Sequence, residues 1–149
     1  MAVIAVSAFE RMFREAADLD VDKNDLKRYQ DFIHQKIGDL LIGAEATAKA
    51  NGRDVIERRD LPITKGLQET IHEYRRLERT LELRPMLAAL ATRPVLDLAV
   101  ADDTDAELPE IAGALSVALG RTFRIIDPHA RNPSTEDWQR AIRIFDLLL

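Results

Sequence analysis

Residues 51–60 read Asn51-Gly52-Arg53-Asp54-Val55-Ile56-Glu57-Arg58-Arg59-Asp60, and they separate two helical segments of the chain. Upstream, apolar residues recur every three or four positions over residues 26–48, which predicts a helix of about seven turns. The opening Asn-Gly pair tolerates the left-handed backbone conformation and therefore predicts the end of that helix. Downstream, Asp60 and Pro62 predict the start of another helix that continues to Leu81. The residues between the two helices predict a short extended link.

The same order of elements occurs twice along the chain. The first copy covers residues 1–82, with a short helix near 7–18, the long helix and the medium helix that ends at Leu81. The second copy covers residues 83–149, with a short helix over 86–91, an aspartate-rich loop over 97–105, a long helix over 108–126 and a last helix capped by Ser134. No run of alternating β-branched residues is long enough to predict a sheet. The repeat predicts an all-α protein whose two halves form a single domain.

The overall composition is that of a globular protein and excludes several classes of function. The 149 residues are 46% hydrophobic and 32% charged, with no cysteine and a net charge of −5. Disulfides and thiolate metal sites are therefore excluded, and we expect a cytoplasmic protein. The apolar stretch Met1–Val6 lacks a basic flank and meets Glu10 too soon for a signal peptide. No apolar run approaches the ~20 residues of a membrane span, so no membrane association is expected.

The helix order and the 51–60 segment resemble the histone fold. Histones, including those of archaea, have a similar Gly-Arg-x-x-Ile-x-x-x-Asp stretch, which matches Arg53, Ile56 and Asp60 here. In histones the arginine of this loop pairs with the aspartate that begins the last helix. The resemblance therefore implies a structural ion pair between Arg53 and Asp60. Such a pair would fix the loop against the helix rather than act on a substrate.

A second, weaker copy of this motif lies near the end of the chain. Residues 130–138 read Ala-Arg-Asn-Pro-Ser-Thr-Glu-Asp-Trp and are similar to the same histone loop and the helix that follows it. The resemblance implies a second pair between Arg131 and Asp137. These two residues are six positions apart instead of seven, and Pro133 has no backbone N–H to donate.

The whole chain resembles an uncharacterised bacterial family of proteins that carry two histone folds in one chain. The stretches that carry this likeness are residues 19–28 and 60–69. The likeness implies two tandem histone folds, over residues 1–82 and 83–149, that pack against each other as an intramolecular handshake pseudodimer. It implies a fold and no activity.

In histones, DNA phosphates meet paired loops, and the corresponding loops here are acidic. Residues 18–24 carry a net charge of −2, and the expected partner, residues 127–133, is neutral. Residues 97–105 carry −4 from four aspartates, and their expected partner, residues 51–59, carries +1. Because phosphate contacts normally need cations, this charge pattern disfavours DNA binding at both loop pairs.

Two functions remain open for this sequence. One is a protein-interaction or self-assembly module, which the apolar tail over residues 145–149 favours. The alternative is a small histone-like nucleoid protein, with Arg11, Arg14, Lys23 and Lys27 as DNA contacts. The competing interpretation of those four cations is a solvated helix surface balanced by neighbouring acidic side chains.

No catalytic, metal or cofactor site is predicted. Glu69 and His72 have the Glu-x-x-His spacing of carboxylate-bridged metal sites, but such sites need the motif twice. The three histidines share no motif, and the six glycines form no phosphate-binding loop. Trp138 lies on an apolar helical stripe with Ile142 and Phe145, which predicts a core position instead of a stacking surface. We therefore expect a non-enzymatic protein.

Overall fold

The computed structural model describes residues 6–149; residues 1–5, which are part of the apolar stretch Met1–Val6, lie outside the described residues. Six α-helices make up most of the described chain, and this confirms the all-α prediction. They are α1 (Val6–Ala17), α2 (Leu26–Ala50), α3 (Lys65–Leu81), α4 (Arg84–Leu90), α5 (Asp102–Ile126) and α6 (Thr135–Leu148). Two short strands, β1 (Val55–Ile56) and β2 (Ala99–Val100), and one 3₁₀ turn (Arg58–Asp60) complete the fold.

Helix α5 lies at the centre of the core, in contact with every other α-helix. Its middle residues are small and buried, including Gly113, Ser116 and Gly120. A methyl group at Gly113 would overlap the ring of Tyr74 on α3. At Gly120, a methyl group would lie 3.0 Å from the Cβ of Ala17 on α1. The small side chains of α5 therefore allow α1 and α3 to approach its backbone closely.

An aromatic cluster joins α1 to α2. Phe9 stacks on Tyr29 with ring centroids 4.8 Å apart, and Phe13 meets the same ring edge-on at 5.5 Å. The Tyr29 hydroxyl lies 2.7 Å from the Ser116 hydroxyl, so these two buried hydroxyls, one on α2 and one on α5, are paired with each other. Burial raises the pKa of Tyr29 far above its ordinary value. The hydroxyl therefore stays protonated and acts as a structural hydrogen-bonding group.

Loops of the two halves pair at both ends of α2. Near its C-terminal end, β1 pairs in parallel with β2, with Val55 opposite Ala99 and Ile56 opposite Val100. Near its N-terminal end, the backbone N–H of Asp20 donates to the carbonyl of Arg131 at 2.7 Å. Each pairing satisfies backbone groups of one half with groups of the other half.

The junction between the halves is fixed by one carboxylate. Glu78 on α3 accepts hydrogen bonds from the backbone N–H groups of Leu83 at 2.8 Å and Arg84 at 3.0 Å. It also accepts the hydroxyl of Tyr74 at 3.0 Å. Glu82, at the turn, adopts the left-handed conformation with φ of 52°. A carboxylate at the start of α4 is favoured because it meets unpaired N–H groups there.

Two predicted boundaries were wrong. The third helix was expected to begin at Asp60, but α3 begins at Lys65, capped by Thr64, whose hydroxyl accepts the N–H of Leu67 at 3.1 Å. Leu61 is extended because the following Pro62 disfavours the helical conformation in the residue before it. Asp60 instead ends the 3₁₀ turn.

The aspartate-rich segment over residues 97–105 is likewise only partly a loop. Asp102, Asp103 and Asp105 lie in the first turn of α5, which begins after the extended Ala101. Carboxylates are favourable at that position because the helix dipole presents its positive end there. The predicted Ser134 cap of α6 is confirmed: its hydroxyl accepts the N–H of Asp137 at 3.1 Å.

The close packing at Gly113 leads to a test with a control on the same protein. We expect Gly113→Ala to lower the free energy of unfolding by about 1–3 kcal/mol, because the added methyl group overlaps Tyr74. Gly66→Ala on the surface of α3 meets nothing within 4 Å and should raise stability slightly. Urea denaturation followed by circular dichroism measures both. Equal stability of the two variants would contradict the close crossing.

Candidate functional site

Arg53 and Asp60 are in direct contact within the segment that joins α2 to α3. The guanidinium donates two hydrogen bonds, from Nη1 to Oδ2 at 2.8 Å and from Nη2 to Oδ1 at 2.6 Å. The Asp60 side chain is 1% exposed and also accepts the backbone N–H of Glu57 at 2.8 Å. The Arg53 guanidinium, together with that N–H, holds the pKa of Asp60 below its usual value. Both carboxylate oxygens of Asp60 bond groups of the protein itself, so the pair holds the loop in place.

The second predicted pair does not form in the described part of the chain. Arg131 and Asp137 make no ion pair with each other there. The Asp137 carboxylate instead accepts the backbone N–H of Ser134 at 3.0 Å, which completes a capping box at the start of α6. Arg131 contributes its backbone carbonyl to the contact with Asp20. The physical reason is the position of Asp137 at the third residue of α6, where the helix N-terminus engages its carboxylate.

The loop between α1 and α2 keeps its acidic character. Asp20 pairs with Arg14 at 3.6 Å, and Asp22 accepts the backbone N–H of Asn24 at 2.8 Å. Asp25 is buried, and this burial raises its pKa above the usual value. Arg124 on α5 anchors this loop. Its guanidinium donates to the carbonyls of Ala17, Asp18 and Pro128.

Of the four cations named as candidate DNA contacts, Arg11 and Arg14 lie on α1, Lys23 lies in this loop and Lys27 lies in the first turn of α2. Arg11 donates to the carbonyl of Ser7 at 3.3 Å, and Lys27 pairs with Asp31 at 3.0 Å. Arg14 is engaged by Asp20, as described above. Lys23 is exposed and forms no ion pair with the described residues. Three of the four cations therefore have partners inside the protein, which favours the interpretation as a solvated helix surface.

The loop pair at β1 and β2 is also rich in internal ion pairs. Lys49 pairs with Asp97 at 2.8 Å, and the same ion pair raises the pKa of the lysine and lowers that of the aspartate. Arg93 pairs with Asp105 at 3.3 Å, and Arg58 pairs with a glutamate of α5. With the cations already paired, the aspartates at the start of α5 give this end of the molecule an acidic surface.

No metal site forms among residues 6–149. No group of three or more histidine, aspartate or glutamate side chains is arranged to hold a metal ion there. Glu69 pairs with Lys65 at 3.1 Å, and His72 is exposed. His34 bonds Thr92 through Nδ1 at 2.8 Å. The prediction for Trp138 is confirmed: the side chain is buried and meets the ring of Phe123 edge-on.

The outer face of α6 carries the largest uncovered apolar side chains next to a groove. Leu147 is 85% exposed, Leu148 75% and Ile144 40%. Phe145 was expected in the same apolar tail surface, but it is buried against Phe32 with centroids 4.9 Å apart. The three exposed residues recur at helical spacing and form one stripe, which we call the α6 ridge.

Grooves flank the α6 ridge on both sides. One groove, of about 470 Å³, lies between α6, the start of α3 and the C-terminal half of α5. Its apolar lining includes Leu67, Ala118 and Leu148. A second groove, of about 440 Å³, lies on the side of Ile126 and is lined by Arg140, Arg143 and Leu147 among others. Sequence patterning did not reveal these grooves, because residues from two or three separate helices form each of them.

A buried lysine holds α6 in place and was also missed. The Lys36 side chain is 1% exposed and bonds Asp39 at 3.3 Å and Asp146 at 2.5 Å. Asp146 lies on α6, so the lysine ties the last helix to α2. The signal was present in the sequence: Lys36 stands between Ile33 and Ile37 on the apolar stripe of α2, where its head group must meet a charge partner.

No helix in the described range combines the length and apolarity that crossing a bilayer requires.

A family model described as a domain of unknown function, DUF1931, matches residues 9–146. An uncharacterised protein from Aquifex aeolicus (strain VF5) is 28% identical over 137 residues, which is 92% of this chain and 80% of that protein.

Two solved structures share the fold. The crystal structure of a Thermus thermophilus protein shows 57% identity to this chain and a TM-score of 0.87, and the match covers 98% of this chain and 99% of that chain. A 1.9 Å crystal structure of an Aquifex aeolicus protein shows 27% identity and a TM-score of 0.83, over 96% and 94% of the two chains.

The Arg53–Asp60 contact leads to a double-mutant cycle. We expect Arg53→Ala and Asp60→Ala each to destabilise the protein, and the double variant to lose less than the sum by about 1–3 kcal/mol. The reason is that either single change leaves a partly buried charge without its partner. Thermal and urea denaturation measure the cycle. The exposed pair Lys27–Asp31 is the control, with an expected coupling of about 0.5 kcal/mol or less.

The pH dependence of the free energy of unfolding tests whether the Arg53–Asp60 pair stabilises the fold. Because the folded-state pKa of Asp60 is lowered, its contribution to stability is present above the ordinary value of 3.8 and is lost as pH falls through the folded-state pKa. Simple additivity in the cycle at neutral pH would contradict a stabilising pair.

Proposed function

This chain belongs to the DUF1931 family, and we propose that it is a non-enzymatic protein-interaction module built from two tandem histone folds. In this proposal the halves 1–82 and 83–149 form a handshake pseudodimer within one chain. The α6 ridge and its grooves are the surface that meets a partner.

The helix order and the loop pairing support the histone-fold part of the proposal. Each half has a short helix, a long helix of 25 residues and a shorter final helix. Each pairing joins a loop of one half to a loop of the other: β1 with β2, and Asp20 with Arg131. Two long helices flanked by reciprocal loop pairs are what a handshake between similar halves requires.

The exposure of the α6 ridge is the observation that carries the interaction part. Leu147 and Leu148 are each three-quarters or more exposed, next to an apolar groove. Single exposed apolar residues are ordinary on protein surfaces, but a contiguous stripe beside an apolar groove is typical of interaction sites. Covering this stripe removes apolar area from water, which is the main driving force for association.

The acidic loop pairs argue against the nucleoid alternative. A phosphate approaching the start of α5 would meet Asp102, Asp103 and Asp105. Near the other loop pair, Arg14 and Lys27 already have acidic partners. Binding DNA there would have to break these pairs, and a chain of net charge −5 supplies little long-range attraction in return.

One experiment with two arms tests the proposal. A photo-activated cross-linking residue at position 147 should give a defined protein adduct in the cells that make this protein. The same residue at position 95 is the control, since Val95 is fully exposed and apolar but lines none of the grooves along α6. No adduct at 147, or equal adducts at both positions, would contradict the interaction surface.

The second arm measures DNA binding directly. A duplex titration of the purified protein at ~50 and ~200 mM salt should show no tight, salt-sensitive complex, because few free cations face the loops. Tight binding at low salt that weakens at high salt, and that drops in Arg11→Ala, would replace the proposal with the nucleoid function.

A further inference from the structure

We propose that the outer face of α3 binds an acidic segment of a partner protein, and that this segment carries one bulky apolar side chain. The inference goes beyond the proposed function, because it assigns a second surface and the chemistry of what binds there. Two features of the surface carry it: a row of exposed cations and an apolar hollow beside that row.

The row of cations follows one side of α3. Six exposed residues recur at helical spacing and share one face, which we call the α3 basic face: Lys65, Gln68, His72, Arg75, Arg76 and Arg79. Four of the six are cations and none is acidic, although acidic residues outnumber basic ones in the whole chain. At 1.5 Å per residue the face is about 21 Å long, which is the length of a short helix or an extended segment of a partner. None of the six lines the grooves beside α6.

The carboxylates near the α3 basic face lie deeper than its arginines. Arg76 is 71% exposed and its partner Glu73 only 21%, and Arg75 is more than twice as exposed as its partner Glu110. In the ion pair that Arg14 forms near the first loop, both side chains are equally exposed. A molecule that approaches α3 from solvent therefore meets guanidinium groups before it meets carboxylates, which favours an anionic partner.

Two of the arginines are available for a new contact. Glu73 bonds Arg121 on α5, and its distance to Arg76 is 3.8 Å, so Arg76 has only a share of that carboxylate. Arg79 is exposed and forms no ion pair with any residue in the range 6–149. Exposed ion pairs contribute little to stability, so the arginines of this face can accept carboxylates of another molecule at small cost to the fold.

An apolar hollow of about 290 Å³ opens beside the α3 basic face. Its lining includes three isoleucines, Ile63, Ile71 and Ile111, and it shares Gln68 and Arg75 with the face. Pockets for small molecules usually have volumes of about 300 Å³ or more, so this hollow has the size for a single bulky side chain. A segment bound along the basic face can therefore place an apolar residue in it.

The charged groups around the hollow also favour an acidic segment. Both carboxylates in its lining are already bonded, Glu107 to Arg58 and Glu110 to Arg75. The lining contains one more arginine, Arg59, so its cations outnumber its anions. The ion pairs hold the arginines in place before anything binds, which lowers the entropy lost on association.

The hollow distinguishes an acidic protein from a nucleic acid. A phosphate backbone supplies charge but no apolar side chain for a space lined by isoleucines. Asp103, in the first turn of α5, precedes Glu107 by one helical turn, so a wide polyanion such as a DNA duplex would also meet the aspartates there. A narrow acidic segment can follow α3 without reaching them.

The test measures the binding of two labelled peptides to the intact protein by fluorescence anisotropy. Each peptide has ~12 residues of glutamate and alanine, with one central phenylalanine in the first and serine in its place in the second. We expect the phenylalanine peptide to bind several-fold more tightly, because only it fills the hollow. Its binding should weaken between ~50 and ~200 mM salt, since exposed charges are screened.

A charge-reversed variant locates the binding surface. Arg76→Glu combined with Arg79→Glu should weaken binding of the phenylalanine peptide at least about tenfold, because two exposed cations of the face become anions. Arg140→Glu combined with Arg143→Glu is the matched control: it makes the same change of net charge at two exposed arginines with the same spacing, on α6. The control should retain binding within about twofold of the wild type. Circular dichroism should show the same helix content for all three proteins.

Three results would overturn the inference: no binding of the phenylalanine peptide up to ~1 mM at low salt, equal binding of the two peptides, or equal losses in the α3 and α6 variants. Tighter binding of a DNA duplex than of either peptide, lost in the α3 variant, would assign the face to nucleic acid instead. These outcomes do not depend on the cross-link from position 147, which tests the α6 ridge alone.

Discussion

The close approach of α3 to α5 at Gly113 is the contact on which the rest of the structure depends. Tyr74 occupies the space that any side chain at residue 113 would need. Within α3, the Tyr74 hydroxyl donates to Glu78, and that carboxylate also accepts the backbone N–H groups of Leu83 and Arg84 at the start of α4. Gly120 allows the corresponding approach of α1. Helix α5 can therefore contact all five other helices, and the two halves share one core instead of forming two.

This shared core determines which surfaces remain outside. Because loops of opposite halves pair at both ends of α2, backbone groups such as the N–H of Asp20 are satisfied there. Apolar side chains of these loops, including Leu19 and Ile56, are buried in the core, whereas aspartates such as Asp20 and Asp97 are exposed. Lys49 and Arg93 pair with aspartates at the β1–β2 end. The final helix packs with Trp138, Ala141 and Phe145 inward, which leaves the α6 ridge uncovered. The molecule thus has polar ends and one apolar helical edge.

The sequence predicted what local periodicity and capping control. The long helices, the cap at Ser134 and the inward position of Trp138 all follow from spacing within a single helix. The start of α3 was missed because the effect of Pro62 on Leu61 and the Thr64 cap outweigh the aspartate signal. The aspartates of residues 102–105 predict a loop because aspartate is a poor helix former away from an N-terminus, whereas in the structure they form the first turn of α5.

Long-range features could not be predicted from local patterns. The β1–β2 pairing involves two residues in each strand, too few for any alternation to show. The overlap of Gly113 with Tyr74 and the grooves beside α6 depend on how separate helices cross.

Native-state hydrogen exchange tests the shared core most directly. We expect the slowest amides of α2 and α5 to exchange with the same free energy, equal to that of global unfolding. Exchange of α2 by a separate, lower-energy opening while α5 stays protected would contradict the account.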